Sequence, residues 1–152
     1  LSVRVVSGGG TGTYNITGAN DRITDIQPGS YIFMDGDYLG LFDHFQMALT
    51  VLVTVVSMPV SDRVVMDGGR KSISIDRGLP QVIGLEGEVR ISEEHLIVDL
   101  TGDSNLVPEV GDRIQVLPVH GDTTIAQHDL YYGIRGGLLE EVIEISGRGK
   151  FT

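Results

Sequence analysis

Ala48-Leu49-Thr50-Val51-Leu52-Val53-Thr54-Val55-Val56-Ser57 decides the fold of this chain. The run is dominated by β-branched side chains, which are stiff at χ1 and fit a pleated surface. It reads as one long strand that Pro59 ends, because proline cannot donate to a ladder. Its apolar part is far shorter than the roughly 20 residues a membrane-spanning helix needs.

The pattern continues downstream in short strands separated by glycine turns. Val64-Val65-Met66 leads into Asp67-Gly68-Gly69, and Ser72-Ile73-Ser74-Ile75 alternates before Gly78-Leu79-Pro80 breaks it. Glu88 to Ser92 and His95 to Leu100 flank Glu93-Glu94 as a hairpin, and Arg113 to Pro118 is a further strand after Val110-Gly111-Asp112. Tyr131 to Arg135, Gly136-Gly137 and Leu138 to Ile145 form a closing hairpin. Upstream, Val3 to Val6 and Tyr31 to Met34 read as strands, Asp25 to Ser30 as a turn, and Tyr14 to Asp21 as polar with at most one turn of helix. Short strands with frequent turns predict an all-β sandwich or barrel from about Asp25 onward.

The 152 residues carry a formal net charge of −10 and no cysteine. Such a charge disfavours nucleic-acid phosphate and anionic lipid as partners, so neither nucleic acid nor membrane is expected. Disulfides and thiolate metal sites are excluded. A cytoplasmic location is expected.

Two local features carry chemistry. Ser7-Gly8-Gly9-Gly10-Thr11-Gly12-Thr13 follows the apolar stretch at the start of the chain. Consecutive glycines let backbone N–H groups form a concave nest for a phosphate, to which Thr11 and Thr13 can add hydroxyls. A dinucleotide-binding reading fails because no amphipathic helix follows, and a P-loop fails because Gly-Lys-Ser/Thr is absent. A strand feeding such a loop normally closes a preceding sheet or barrel, so the chain reads as the C-terminal portion of a larger enzyme.

The second feature is His120-Gly121-Asp122, just after a strand. If extended backbone continues there, residues i and i+2 project to one side. An imidazole nitrogen and a carboxylate oxygen can then meet one cation at about 2.0–2.2 Å, leaving positions open for water or substrate. The bland alternative is a capped turn in which Asp122 bonds the backbone near Thr124. His128-Asp129 is a further pair; its adjacent residues point to opposite faces of a strand, so Asp129 reads as structural and His128 stays open.

Several segments, taken in order, resemble one family. They are the glycine loop Ser7 to Thr13, Ala48 to Val51 with Val55-Val56-Ser57, and Asp67-Gly68-Gly69-Arg70-Lys71-Ser72. Gly78-Leu79-Pro80, Glu93-Glu94-His95, Gly111-Asp112-Arg113 and Pro118-Val119-His120-Gly121-Asp122-Thr123-Thr124 complete the order. The chain is similar over nearly its whole length to the D-threonine aldolase and D-serine dehydratase-like pyridoxal-phosphate enzymes, which are related to alanine racemase. The resemblance implies a TIM-type barrel that binds the cofactor and a C-terminal β-domain that closes the site. Residues 1–24 would be a remnant of the barrel end with its phosphate-binding loop, and residues 25–152 the C-terminal β-barrel or sandwich.

By the same resemblance, Gly9, Gly10, Thr11, Gly12 and Thr13 bind the phosphate of pyridoxal phosphate. His120 and Asp122 match the family's metal-binding pair, with Mn, Zn or Mg as candidate ions. The dehydratase branch often has His-x-Cys there and the aldolase branch His-x-Asp, so the resemblance favours retro-aldol cleavage of a D-β-hydroxy amino acid. The dehydratase elimination is the alternative, and a non-catalytic metal- or anion-binding or interaction domain is a third. The family's Schiff-base lysine lies in the barrel, and the only lysines here are Lys71 and Lys150. No catalytic residue is therefore assigned within the chain, which by itself is expected to be inactive. The implied partners are the N-terminal barrel domain, a small D-amino acid substrate and a second copy in a homodimer.

Overall fold

The computed structural model describes residues 2–102 and 104–150. The chain divides into two compact units, Leu1–Leu49 and Thr50–Thr152.

In the first unit β1 (Ser7–Gly8) pairs in parallel with β2 (Asp25–Ile26). Between them lie a 3-10 turn, Thr11–Thr13, and the single helical turn α1 (Tyr14–Thr17). The expected strand at Val3 to Val6 is not formed. Val6 is held by the backbone and side chain of Thr24. No described segment lies in a ladder beside Val3 to Val5, and a strand without a partner leaves its donors and acceptors unmet. Tyr31 to Met34 is not a strand either. A 3-10 turn covers Ser30–Ile32, the amide of Met34 closes back on the Ser30 carbonyl at 2.8 Å, and Met34 has φ 51°. The Tyr31 amide is taken by Thr11 Oγ1 at 3.1 Å, so it is not available to a ladder.

The second unit is all-β around one curled antiparallel sheet. Its strands are β3 (Val51–Val60), β4 (Arg63–Met66), β5 (Gln81–Val82), β6 (Gly87–Ile91), β7 (Leu96–Leu100) and β8 (Arg113–Leu117), in the spatial order β5-β8-β3-β4-β7-β6. Alternation puts one side chain in two on the inner face. Cross-strand partners Val53 and Ile114, Val64 and Val98, and Met66 and Leu96 are all buried there. Ile73, fully buried, joins the same core from a loop.

Two local expectations need correcting, and one short strand was not expected. The long strand runs through Pro59 to Val60. Pairing of β3 with β4 is irregular between Ser57 and Val60, and β8 reaches only Val51–Thr54, so no ladder bond is demanded of Pro59. Ser72 to Ile75 is a turn and loop. The amides of Ser72 and Ile73 bond the Gly69 carbonyl and that of Ser74 bonds Thr124, so the segment's donors are spent locally. The two-residue β5 is too short for alternation to reveal it.

After β8 comes a short helix, α2 (Gly121–Ile125), and then a hairpin, β9 (Leu130–Arg135) and β10 (Leu138–Glu144). Gly136 and Gly137, at φ 57° and 78°, make the positive-φ turn that suits two-residue hairpins. The hairpin is a separate two-stranded ladder. Register places Leu130, Tyr132, Ile134, Leu139 and Val142 together on one face, and all of them are exposed. No described helix is long and apolar enough to cross a membrane.

Candidate functional site

The core sheet delivers one histidine to a fixed place. Buried Ile114, Val116 and Leu117 hold β8, and buried Pro118 follows. Extended backbone ends at His120, which is the N-cap of α2 at φ −119°, ψ 109°. Asp122 already belongs to the first turn of α2, so the two do not meet as strand residues i and i+2. The cap geometry still brings them together: His120 Nε2 lies 4.0 Å from Asp122 Oδ2. His120, as the N-cap, makes no side-chain cap bond to α2.

The other nitrogen of His120 is tied down. Nδ1 is 2.6 Å from Asp76 Oδ2 and 3.2 Å from Thr123 Oγ1. Asp76 Oδ1 accepts from Ser74 Oγ at 2.7 Å and from Thr123 Oγ1 at 3.0 Å. The hydrogen bond with His120, then that from Ser74, holds the Asp76 carboxyl down to about 2, with partial burial opposing them. Behind this cluster the buried Thr124 hydroxyl accepts the Ser74 amide at 3.2 Å and donates to the His120 carbonyl at 3.0 Å. The loop bearing Ser74 and Asp76 is thus pinned twice, by Ile73 in the core and by Thr124 on α2.

The pair can take a cation with a small adjustment. Two tetrahedral ligands at about 2.1 Å from a metal lie roughly 3.4 Å apart, somewhat closer than the 4.0 Å found. The His120 side chain is 20% exposed and anchored, whereas that of Asp122 is 76% exposed and free to turn inward. No group of three or more His, Cys, Asp or Glu suited to a metal occurs among the described residues, so water or substrate would complete the shell. Tyr131 on β9 borders the pair: burial, and then the Asp122 charge, raise its phenol above the ordinary tyrosine range.

In the first unit, Gly9 to Thr13 forms one loop. Gly9 has φ 77°, and a Cβ there would lie 2.6 Å from Thr17 Oγ1. A Cβ on Gly8 or Gly10 would meet nothing within 4 Å, so that side of the loop is open to a ligand. The threonine hydroxyls also serve the loop itself. Thr11 Oγ1 accepts from the Tyr31 amide, and Thr13 Oγ1 accepts from the Gly10 amide at 3.3 Å. Each keeps its own proton for donation.

Two further histidines have structural partners. His128 Nε2 is 2.8 Å from the Ser72 carbonyl, and His44 bonds the Tyr14 hydroxyl. Asp129 pairs with Arg148 at 3.2 Å. Lys71 pairs with Glu94.

Asp76, Ser74, Thr123 and Tyr131 were not foreseen. A ligating histidine needs an acceptor on its second nitrogen, and that rule is a signal that Asp76 exists somewhere. With 21 acidic residues in the chain, it does not single one out.

Residues 48–134, more than half the chain, match the family described as "Putative serine dehydratase domain", and the chain belongs to that family. Among curated relatives, it is 38% identical over 155 residues to a D-threonine aldolase of Arthrobacter sp, covering 98% of this chain and 41% of that protein. It is 37% identical over 161 residues to a 3-hydroxy-D-aspartate aldolase of Paracoccus denitrificans, covering 99% of this chain and 41% of the relative. The crystal structure of a D-threonine aldolase from Filomicrobium marinum superposes with a TM-score of 0.91 at 35% identity, covering 100% of this chain and 43% of that one. The chain therefore spans about two-fifths of the length of these proteins.

Proposed function

We propose that this chain is the C-terminal region of a pyridoxal-phosphate- and divalent-metal-dependent lyase that cleaves D-β-hydroxy amino acids to an aldehyde and glycine. The observation that carries the reading is the His120–Asp122 pair, 4.0 Å apart, in a chain 38% and 37% identical to two aldolases. Pyridoxal phosphate, when bound, supplies an electron sink for charge developing at Cα. A divalent ion such as Mn, Zn or Mg, when bound, supplies Lewis-acid pull on the β-hydroxyl oxygen.

The chain's own residues divide the remaining work. Gly9, Gly10, Thr11, Gly12 and Thr13 line a loop with one open side, and the Thr11 and Thr13 hydroxyls keep protons to donate to a phosphate there. His120 offers the Nε2 lone pair, and Asp122 adds a negative charge that favours a cation beside it. Residues 1–24 belong with a cofactor-holding barrel, and residues 25–152 cover the site. The complete protein is a cytoplasmic homodimer.

The dehydratase reading stands second, favoured by the family's own description. It uses the same residues but ends in loss of the β-hydroxyl. Product analysis on the full-length enzyme separates the two: D-threonine gives glycine and acetaldehyde in one case, and ammonia and a keto acid in the other. His120→Ala in that enzyme is expected to abolish metal-dependent turnover. Retention of both activity and metal dependence would refute the assignment.

A further inference from the structure

We propose that Asp76 is a positioning residue that sets the tautomer and ring orientation of His120, so that Nε2 presents its lone pair to a divalent cation. The inference rests on the metal reading given above and extends it to a carboxylate outside the ligand pair. A neutral imidazole has one N–H, and its place is decided by the partner that can only accept. Asp76 Oδ2, 2.6 Å from Nδ1, is such a partner. The ring proton therefore belongs on Nδ1, and Nε2, which faces Asp122, is left as an acceptor. Carboxylates behind ligating histidines act in this way in metal sites generally, fixing the ring and raising its basicity.

The local structure makes the carboxylate itself rigid. Ser74 and Thr123 both donate to Oδ1, so Oδ2 is the oxygen left for the ring. Thr124 ties the backbone of Ser74 to that of His120, fixing the two sides of the contact relative to each other. None of these groups touches the proposed ion. Their effect passes entirely through His120.

The same hydrogen bonds predict an unusual response to an isosteric change. In Asp76→Asn the two hydroxyl donors hold the amide oxygen at the Oδ1 position. The amide nitrogen then takes the Oδ2 position and points a donor at Nδ1. The ring proton is driven to Nε2, where it blocks the lone pair a cation needs. Asp76→Asn should thus impair metal binding at least as much as Asp76→Ala, although it preserves shape.

The test measures Mn2+ affinity on the full 152-residue chain for wild type, D76A, D76N and H120A. Nitrogen-15 NMR of the His120 ring is recorded without metal at about pH 8, where an ordinary imidazole is neutral. The expected result is an Nδ1–H tautomer in wild type and roughly 10–100-fold weaker Mn2+ binding in D76A. D76N should bind no better than D76A, shift the ring to Nε2–H and keep the wild-type far-UV circular dichroism spectrum. Wild-type spectra showing Nε2–H would overturn the inference even if no variant folds. Unchanged affinity in D76A and D76N, with binding lost in H120A, would overturn it while leaving the metal reading intact. Unchanged affinity in H120A would instead remove the metal reading and this inference with it.

Discussion

Thr124→Val probes the joint on which the site geometry depends. The change is nearly isosteric and removes one hydroxyl that is almost fully buried, at 1% exposure. Two hydrogen bonds disappear, one accepted from the Ser74 amide and one donated to the His120 carbonyl. A typical bond contributes a net 0.5–1.5 kcal/mol, and a stranded donor costs about 1–3 kcal/mol, so a loss of about 2–3 kcal/mol is expected. With a urea m-value on the order of 2 kcal/mol/M, the unfolding midpoint should fall by roughly 1 M. Thr124→Ser keeps the hydroxyl and gives up one buried methyl, a loss of about 1 kcal/mol. The assay is equilibrium urea unfolding followed by far-UV circular dichroism. If the valine variant is as stable as the serine variant, the hydroxyl does not join the loop to α2, and the account of how Asp76 is held in place is wrong.

Other consequences can be checked on the same chain. Leu96→Ala opens a cavity in the sheet core, where Leu96 is fully buried against Met66, and should cost about 2–5 kcal/mol in the same unfolding experiment. Asp99 is hydrogen-bonded first by Arg63 and also by Arg90, each at 2.5 Å, and its carboxyl is held below the ordinary range. Its folded-state value lies under the unfolded value of about 3.9, so its stabilisation is complete above that pH and is lost as pH falls through the lower folded value. Stability measured from pH 7 to pH 2 should therefore have a shallower acid limb in Asp99→Asn. In the glycine loop, Gly9→Ala should destabilise the first unit, because the added Cβ strikes Thr17 at positive φ. Gly10→Ala should leave folding unchanged while weakening phosphate binding measured by calorimetry, because its Cβ enters the open side.

The elements legible in the sequence are those whose own side chains carry the instruction. Alternation at Val53 and Val55, at Val64 and Met66, and at Leu96 and Val98 marks inner-face residues, and all of them are buried. Gly136-Gly137 announces a hairpin because few other residues accept two positive φ angles in succession. The misread elements were decided elsewhere in the chain. Tyr31 to Met34 has strand-like residues, but Thr11 captures the Tyr31 amide from 20 positions away. Ser72 to Ile75 alternates like a strand, yet Thr124 takes the Ser74 amide across 50 positions. The His120–Asp122 pair was visible as a spacing. Its supporting carboxylate was not, since Asp76 reaches the ring across 44 positions and nothing in its neighbours distinguishes it from other acidic residues.

The β9–β10 ladder shares no strand pairing with the six-stranded sheet. Its amides can therefore exchange with solvent deuterium through a local opening that leaves the sheet closed. Tyr131 travels with that hairpin and borders Asp122. Such an opening is a motion apart from the strand and loop that clamp His120.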